Sequence, residues 1–308
     1  MSNSLVNHET REHALLSASS AHRWLNCTPS ARLEDKIQEH ASSYAEEGTL
    51  AHEFAELYLT YNLHRISQQE FNKRLDELMN NQLFKDEMPD YVSVYVDYCY
   101  QQYLQMKETC KLSEIITEQK IDFSRYVPDG FGTLDCCVVG DNILEIIDFK
   151  YGKGVPVYAD NNQQLKLYAI GALLAFDLIY DIKDIRLTIV QPRLDNISTW
   201  EISTKDIISW ADTELIAKAK DAFAGTGEMN AGQWCKFCKV KNRCKELADY
   251  NLQVAKYQFK QPALLSDDDI SDIMRRTPAL IDWANSINDY AQQHAIEDGK
   301  EWPGYKLV

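Results

Sequence analysis

The chain has no apolar run of the 18 or so residues that a membrane-spanning helix needs. Nor does its start, MSNSLVNHETREHALL, carry a basic stretch followed by an apolar one, the pattern of a secretory leader. A cytoplasmic protein acting away from membranes is therefore expected. Internal repeats and low-complexity linkers are also missing, which argues against a solenoid or a string of modules. Positive charge is scarce: 32 Lys and Arg stand against 47 Asp and Glu, a formal net charge of −15. That balance argues against a protein that simply coats nucleic acid. It leaves room for an enzyme with a locally basic groove, and acidic metal sites themselves add to such a count.

What is present supports a large core. The 308 residues are 45% hydrophobic and 26% charged, enough for one domain over 1–308. Three- and four-residue apolar spacing predicts a helix over 44–64, and helices follow over 68–84 and 88–110. Strands are expected over 113–123, at CCVV and LEII, and over 184–193 and 198–203. Helical spacing returns over 161–176, 204–223 and the tail from 266, where LLSDDDI supplies an acidic cap. Two short helices are read in 15–40, the first capped by Ser17 or Ser19 and the second starting at Thr28–Pro29. This order predicts an α/β fold: a mixed central sheet flanked by helices, with a right-handed crossover after Lys150. The core would run over about 44–223. A helical segment 1–43, a cysteine-bearing segment 224–250 and a helical tail 251–308 would surround it. The closing WPGYKLV reads as the start of a strand or turn, so a longer natural protein is expected.

The richest stretch is 131–168. Gly140-Asp141-Asn142 has hairpin-turn chemistry between the two apolar runs. Asp135 is read at the start of the first strand, and Asp148 and Lys150 at the end of the second. Residues two apart on a strand share a face, so Asp148 and Lys150 point together and the hairpin brings Asp135 alongside. Two carboxylates and an amine suit a hard divalent cation and an attacking water. A structural Asp–Lys pair is the alternative. An acid after the buried run Leu144-Glu145-Ile146-Ile147 needs a partner or a metal in either case. His52 and Glu56 lie four apart on one helix face, Gln164 and Tyr168 on another. Glu47-Gly48-Thr49 is read as a break at the helix start that lets DNA or the sheet approach.

These residues form an ordered set: G-T-x-x-H (Gly48, Thr49, His52), G-x-x-D (Gly132, Asp135), D-x-K (Asp148, Lys150) and Q-x-x-x-Y (Gln164, Tyr168). Over about 48–168 the chain resembles the RecB-type branch of the PD-(D/E)XK nuclease superfamily. The resemblance implies a restriction-endonuclease-like core in which His52, Asp135, Asp148 and the Phe149 carbonyl hold Mg²⁺ or Mn²⁺. Lys150 would orient or help deprotonate the attacking water and stabilise charge on the phosphate. Gln164 and Tyr168 would position the DNA backbone or the lysine, with Glu56 as an auxiliary ligand. Phosphodiester cleavage leaving 5′-phosphates is implied. VPDGFGTLD and DFKYGKG also resemble phage and prophage proteins of this group. They imply an exonuclease serving recombination or end processing, beside a strand-annealing or recombination partner.

The eight cysteines divide in two. Cys136 and Cys137 on a strand, and Cys99 and Cys110 on a helix, are read as packing residues. Cys235, Cys238 and Cys244 form C-x2-C-x5-C, a spacing that seldom comes from packing, and Cys27 is the candidate fourth ligand. Zinc and iron–sulfur compete, although zinc commonly uses paired C-x2-C knuckles. The arrangement is similar to that of the RecB-type subset holding a [4Fe–4S] cluster, which includes AddB-type domains and CRISPR-adaptation nucleases. That resemblance favours a [4Fe–4S] cluster joining the N- and C-terminal helical segments, structural in role and shielded by Trp234 and Phe237. Lys236, Lys239, Lys241, Arg243 and Lys245 form a basic segment that is either a DNA-contacting surface or a solvated face. Against the nuclease stands one reading of another class: a catalytically silent nuclease fold serving as a DNA-binding or assembly module, which a net charge of −15 fits better.

Overall fold

A computed structural model describes residues 14–37, 43–253 and 265–306. The chain gathers into two compact units. The first comprises 1–22 and 38–220, the second 23–37 and 221–308.

The first unit is built on a five-stranded sheet in the order β1-β2-β3-β4-β5. The strands are β1 (Ser113–Asp122), β2 (Phe131–Gly140), β3 (Ile143–Phe149), β4 (Asp184–Gln191) and β5 (Asn196–Ser203). All neighbours are antiparallel except β3 and β4, which run parallel. A parallel pair needs a crossover, and the helix Gln163–Phe176 supplies it. The sheet is thus mixed, as the element order predicted. The β2–β3 connection is the tight turn at Asp141–Asn142, whose Asp141 carboxylate accepts the backbone N–H groups of Lys111 and Leu112 at 2.9 Å.

Ten helices are described: α1 (Ala21–Trp24), α2 (Ser30–Glu34), α3 (Ser43–Asn62), α4 (Gln68–Met79), α5 (Met88–Thr109), α6 (Gln163–Phe176), α7 (Thr204–Trp210), α8 (Ile216–Ala224), α9 (Lys245–Leu252) and α10 (Asp267–Glu297). Leu50 and Phe54 of α3 and Val92, Tyr95 and Cys99 of α5 pack with Cys136, Val138, Ile147 and Phe149 of the sheet. Cys99, Cys136 and Cys137 are fully buried, in keeping with free cysteine acting as a small apolar residue. Cys110 is the C-cap of α5. On α6, nine consecutive residues from Leu165 to Leu173 are buried. Gly171 lets that helix sit close on β1, because a Cβ there would come 2.9 Å from Ile121 Cδ1.

Two local expectations are corrected. Asp135 lies in the middle of β2, which begins four residues earlier at Phe131; pairing with β1 extends the strand past the residues whose apolarity marks it. The Glu47-Gly48-Thr49 triplet does not break the helix, which runs through it from Ser43 to Asn62. Glu47 is instead buried between Lys85 Nζ at 2.8 Å and Arg193 Nη1 at 2.9 Å. Gly48 faces open space, with nothing within 4 Å of where a Cβ would stand. The two short N-terminal helices are found as expected, four and five residues long, the first preceded by a 3₁₀ turn at Ala18–Ser20.

In the second unit, Arg23 joins Glu34 at 2.7 Å, and Glu34 also accepts the Lys239 N–H at 2.7 Å. Arg32 donates to the Phe223 carbonyl at 2.7 Å. Gly227, with φ +95°, leaves room that a Cβ would take from Thr28 Oγ1. Ser266 caps α10 and opens a capping box with Asp269, as its acidic start predicted. Among the described residues, no helix is long and apolar enough to cross a membrane.

Candidate active site and thiol pocket

The sheet and two helices bring the carboxylates, the histidine and the lysine together. Asp135 projects from β2 and its Oδ2 accepts the Phe149 N–H of β3 at 2.7 Å. Its Oδ1 lies 3.5 Å from Nδ1 of His52 on α3. Asp148, one residue before the end of β3, is 2% exposed. Its Oδ1 accepts from Gln164 Nε2 at 2.9 Å, and its Oδ2 lies 2.8 Å from Lys150 Nζ. That ion pair is poorly aligned for a hydrogen bond, so Oδ2 keeps acceptor capacity. Gln164 also accepts from Lys150 Nζ at 3.0 Å and donates to the Tyr168 hydroxyl at 3.2 Å. One side chain, held in the first turn of α6 by the Asn162 cap, therefore links three others. Gly132 has a reason of its own: a Cβ there would stand 3.0 Å from the Tyr168 ring.

Glu118 is the site residue that the sequence did not single out. Thr117 pairs with Cys136 and Gln119 with Leu134, so Glu118 stands directly opposite Asp135. Like charges facing across a ladder are destabilising. Glu118 moreover adopts φ +48°, a left-handed backbone that costs a non-glycine residue about 1–3 kcal/mol. Ligand atoms of His52, Glu118 and Asp135 all lie within 4.8 Å of one another, the one such set among the described residues. Glu56, the expected auxiliary ligand, lies instead 3.7 Å from Arg74 Nη2 of α4.

The electrostatics follow from burial and crowding. Burial pushes the Glu118 carboxyl up, Asp135 adds to the push, and its pKa reaches about 7. Burial raises Asp148 to about 6 against the pull of Lys150. Burial would lower His52, but the Asp135 carboxylate outweighs it and raises the imidazole to about 9. Burial likewise disfavours the Lys150 ammonium, and Asp148 and Asp135 more than restore it. Three carboxyls thus share too little positive charge. A divalent cation bound there would supply the missing charge and displace protons. The donor set, oxygen with one imidazole, fits Mg²⁺ or Mn²⁺.

The second constellation lies in the other unit. Cys27, Cys235, Cys238 and Cys244 line one pocket with Arg23, Trp234 and Leu247. Two of the sulfurs accept backbone N–H groups: Cys235 from Gly232 at 3.5 Å and Cys244 from Leu247 at 3.4 Å. Such bonds stabilise thiolates and tune clusters. A tetrahedral zinc, with Zn–S about 2.3 Å, would hold all four sulfurs about 3.8 Å apart. Among the described residues no three of them lie within 4.8 Å of one another. Trp234 lines the pocket, but Phe237 is 69% exposed and does not shield it. Its carbonyl accepts from Arg23 at 3.4 Å. In the basic segment Lys241 pairs with Asp282 at 3.1 Å, while Lys236, Arg243 and Lys245 are exposed.

A family model described as "Protein of unknown function (DUF2800)" matches residues 13–308. The chain belongs to that family. The DUF2800 match spans both units and every residue discussed above. Among solved structures, one described as "Putative exonuclease" from Eubacterium rectale is 10% identical, with a TM-score of 0.41 over 78% of this chain and 91% of its own. Another, described as SSO0001, is 13% identical, with a TM-score of 0.28 over 74% of this chain and 96% of its own. Likenesses this distant carry no argument about chemistry, so the functional reading of this DUF2800 chain rests on its own side chains.

Proposed function

We propose that the protein is a Mg²⁺- or Mn²⁺-dependent deoxyribonuclease, an exonuclease that hydrolyses phosphodiester bonds during recombination or end processing in a phage or prophage setting. One observation carries the reading: Lys150 sits 2.8 Å from Asp148 and 3.0 Å from Gln164, beside the Asp135–His52 pair. A structural ion pair would account for Asp148 and Lys150, but it gives no reason for His52, Asp135 and Glu118 to converge there.

Bound Mg²⁺ or Mn²⁺ would lower the pKa of water and offset phosphate charge. Asp135, Asp148, His52 and the Phe149 carbonyl are the candidates to hold it. Lys150 is fixed by two partners and keeps its proton against burial, which suits it to donate toward water and phosphate oxygen. Gln164 sets the lysine's direction, and Tyr168 braces Gln164. Gly48 leaves α3 open to a strand backbone at the same helix that carries His52.

In the second unit the four cysteines hold a [4Fe–4S] cluster of structural role. A cluster joining Cys27 to Cys235 closes a loop of roughly two hundred residues and restricts the unfolded chain. Protein purified without oxygen should be brown with near-stoichiometric iron; colourless protein with one zinc per chain overturns this part. A strand-annealing or recombination protein is the expected partner.

Labelled single- and double-stranded DNA ends, incubated with Mg²⁺ or Mn²⁺, test the activity. Wild-type protein should shorten them, whereas Lys150→Ala and Asp148→Ala should not, with melting curves showing both variants folded. Undiminished cleavage by both variants sinks the reading. A silent DNA-binding module, which the net charge of −15 favours, would bind ends and leave them intact.

A further inference from the structure

Asp135 belongs to two groupings. On one side it joins His52 and Glu118, whose ligand atoms all lie within 4.8 Å of one another. On the other it neighbours Asp148, which is turned toward Lys150 at 2.8 Å and Gln164 at 2.9 Å. Among the described residues, His52, Asp135 and Asp148 do not form so compact a trio. Around a single ion with bonds of about 2.0–2.2 Å, ligand atoms stand about 3 to 4.4 Å apart. His52, Glu118 and Asp135 reach that spacing with a slight contraction, whereas Asp148 would have to leave its present partners to join all three.

Glu118 lacks the usual reasons for an acid on a strand. It faces Asp135 directly across the ladder. Among the described residues no lysine or arginine pairs with it. The two oxygens of Asp135 are already divided between the two sides, Oδ1 toward His52 and Oδ2 toward the β3 backbone.

We propose that Glu118 is a direct ligand of a second divalent cation, held by His52, Glu118 and Asp135 on the β1 side, with His52 serving this cation rather than the one at Asp148 and Asp135 shared between the two. This deepens the nuclease reading and rests on it. Shared-carboxylate pairs hold their ions about 3.5–4 Å apart, and Glu118 fixes where the second stands.

The test counts Mn²⁺ bound to the full-length protein, with Mn²⁺ alone as the probe and electron paramagnetic resonance as the readout. Wild-type protein should bind two ions with a spin-coupled signal. Glu118→Gln keeps the shape of the side chain and removes a like charge opposite Asp135, so its metal-free melting temperature should match or exceed wild type. It should bind one ion, uncoupled, and Glu118→Asp should recover the second ion at weaker affinity. Asp148→Asn should also bind one, on the Glu118 side. A wild type that saturates at one ion, or a Glu118→Gln protein that still binds two, overturns the proposal. Two bound ions with DNA ends left intact would sink the nuclease reading and leave the ligand assignment standing. Efficient cleavage by a protein whose Glu118→Gln variant binds two would do the reverse.

Discussion

The carboxylate site and the thiol pocket are built on opposite terms. At the first, every ligand candidate is held by regular structure: His52 by α3, Glu118 by β1, Asp135 by β2 and Asp148 by β3. The scaffold presses like charges together whether or not a cation is bound. At the second, the segment carrying Cys235, Cys238 and Cys244 contains only a 3₁₀ turn at Gln233–Cys235 before α9. Burial pushes the Cys238 thiol up to about 12 and raises Cys27 and Cys235 as well, so without a metal these sulfurs are neutral. In the first region the protein would impose geometry on an ion; in the second the ion would impose it on the protein. Metal removal should therefore cost chemistry in one and structure in the other.

The largest effect expected of a single change is at Lys150. Lys150→Ala should lower cleavage about a thousandfold, the scale of losing a preorganised electrostatic group, and shift the melting temperature little. Loss of folding together with activity would erase the contrast. Next comes Cys244→Ser, which should abolish cluster binding. It should lower the melting temperature of the second unit by on the order of 10 °C, since several kcal/mol of metal-linked folding energy go with it. Limited proteolysis should then cut within 225–244. Gln164→Ala should lower cleavage about ten- to a hundredfold with Mn²⁺ binding retained, because Gln164 orients Lys150 and Asp148 without being a ligand candidate.

The smallest effect sharpens the independence of scaffold from site. Lys166 of α6 is buried, with its ammonium 3.6 Å from the centroid of the Trp210 ring and 3.0 Å from Asn161 Oδ1. Burial lowers its pKa from 10.5 to about 8. Between those two values the unfolded chain binds the proton more tightly, so stability rises with pH across that window. Below about pH 8 both states hold the proton and the burial penalty is felt in full. Lys166→Met should stabilise the protein by about 1–2 kcal/mol at pH 7. It should also flatten the rise between pH 8 and 10 in urea melts, with cleavage unchanged. A parallel rise in wild type and variant would assign the effect elsewhere.

The order of elements was legible because periodicity reports it: three strands, a crossover helix and two strands follow from spacing alone. Lys150, Gln164 and Tyr168 were legible because two- and four-residue steps survive folding on a strand or a helix. Glu118 was not, because its meaning lies in the β1–β2 register, and nothing local in SEIITEQKID fixes which residue it faces. Burial as a criterion also misleads within one strand. Glu145 is as deeply buried as Asp148, yet Thr188 donates to it at 3.1 Å and Arg186 lies 3.5 Å away. It is satisfied where it stands and has no link to the site. Phe237 misled for a related reason, since adjacency to Cys238 in sequence says nothing of the side on which its ring emerges.

The segment joining Lys150 to Gln164 is fastened from behind. Gln191 donates to the carbonyls of Gly152 and Val155 at 2.6 and 2.9 Å and accepts the Val157 N–H at 3.0 Å. Asn196 holds the Val157 carbonyl at 2.8 Å, and Ser198 the Ala159 N–H at 3.0 Å. Every one of these bonds grips backbone, so the fastening is blind to which side chains the segment carries. Side chains such as those of Lys153 and Tyr158 can therefore be exchanged without loosening the fastening that keeps the lysine and the glutamine in step. Variation there should track what each relative takes hold of, and constancy at Gln191 the machinery they share.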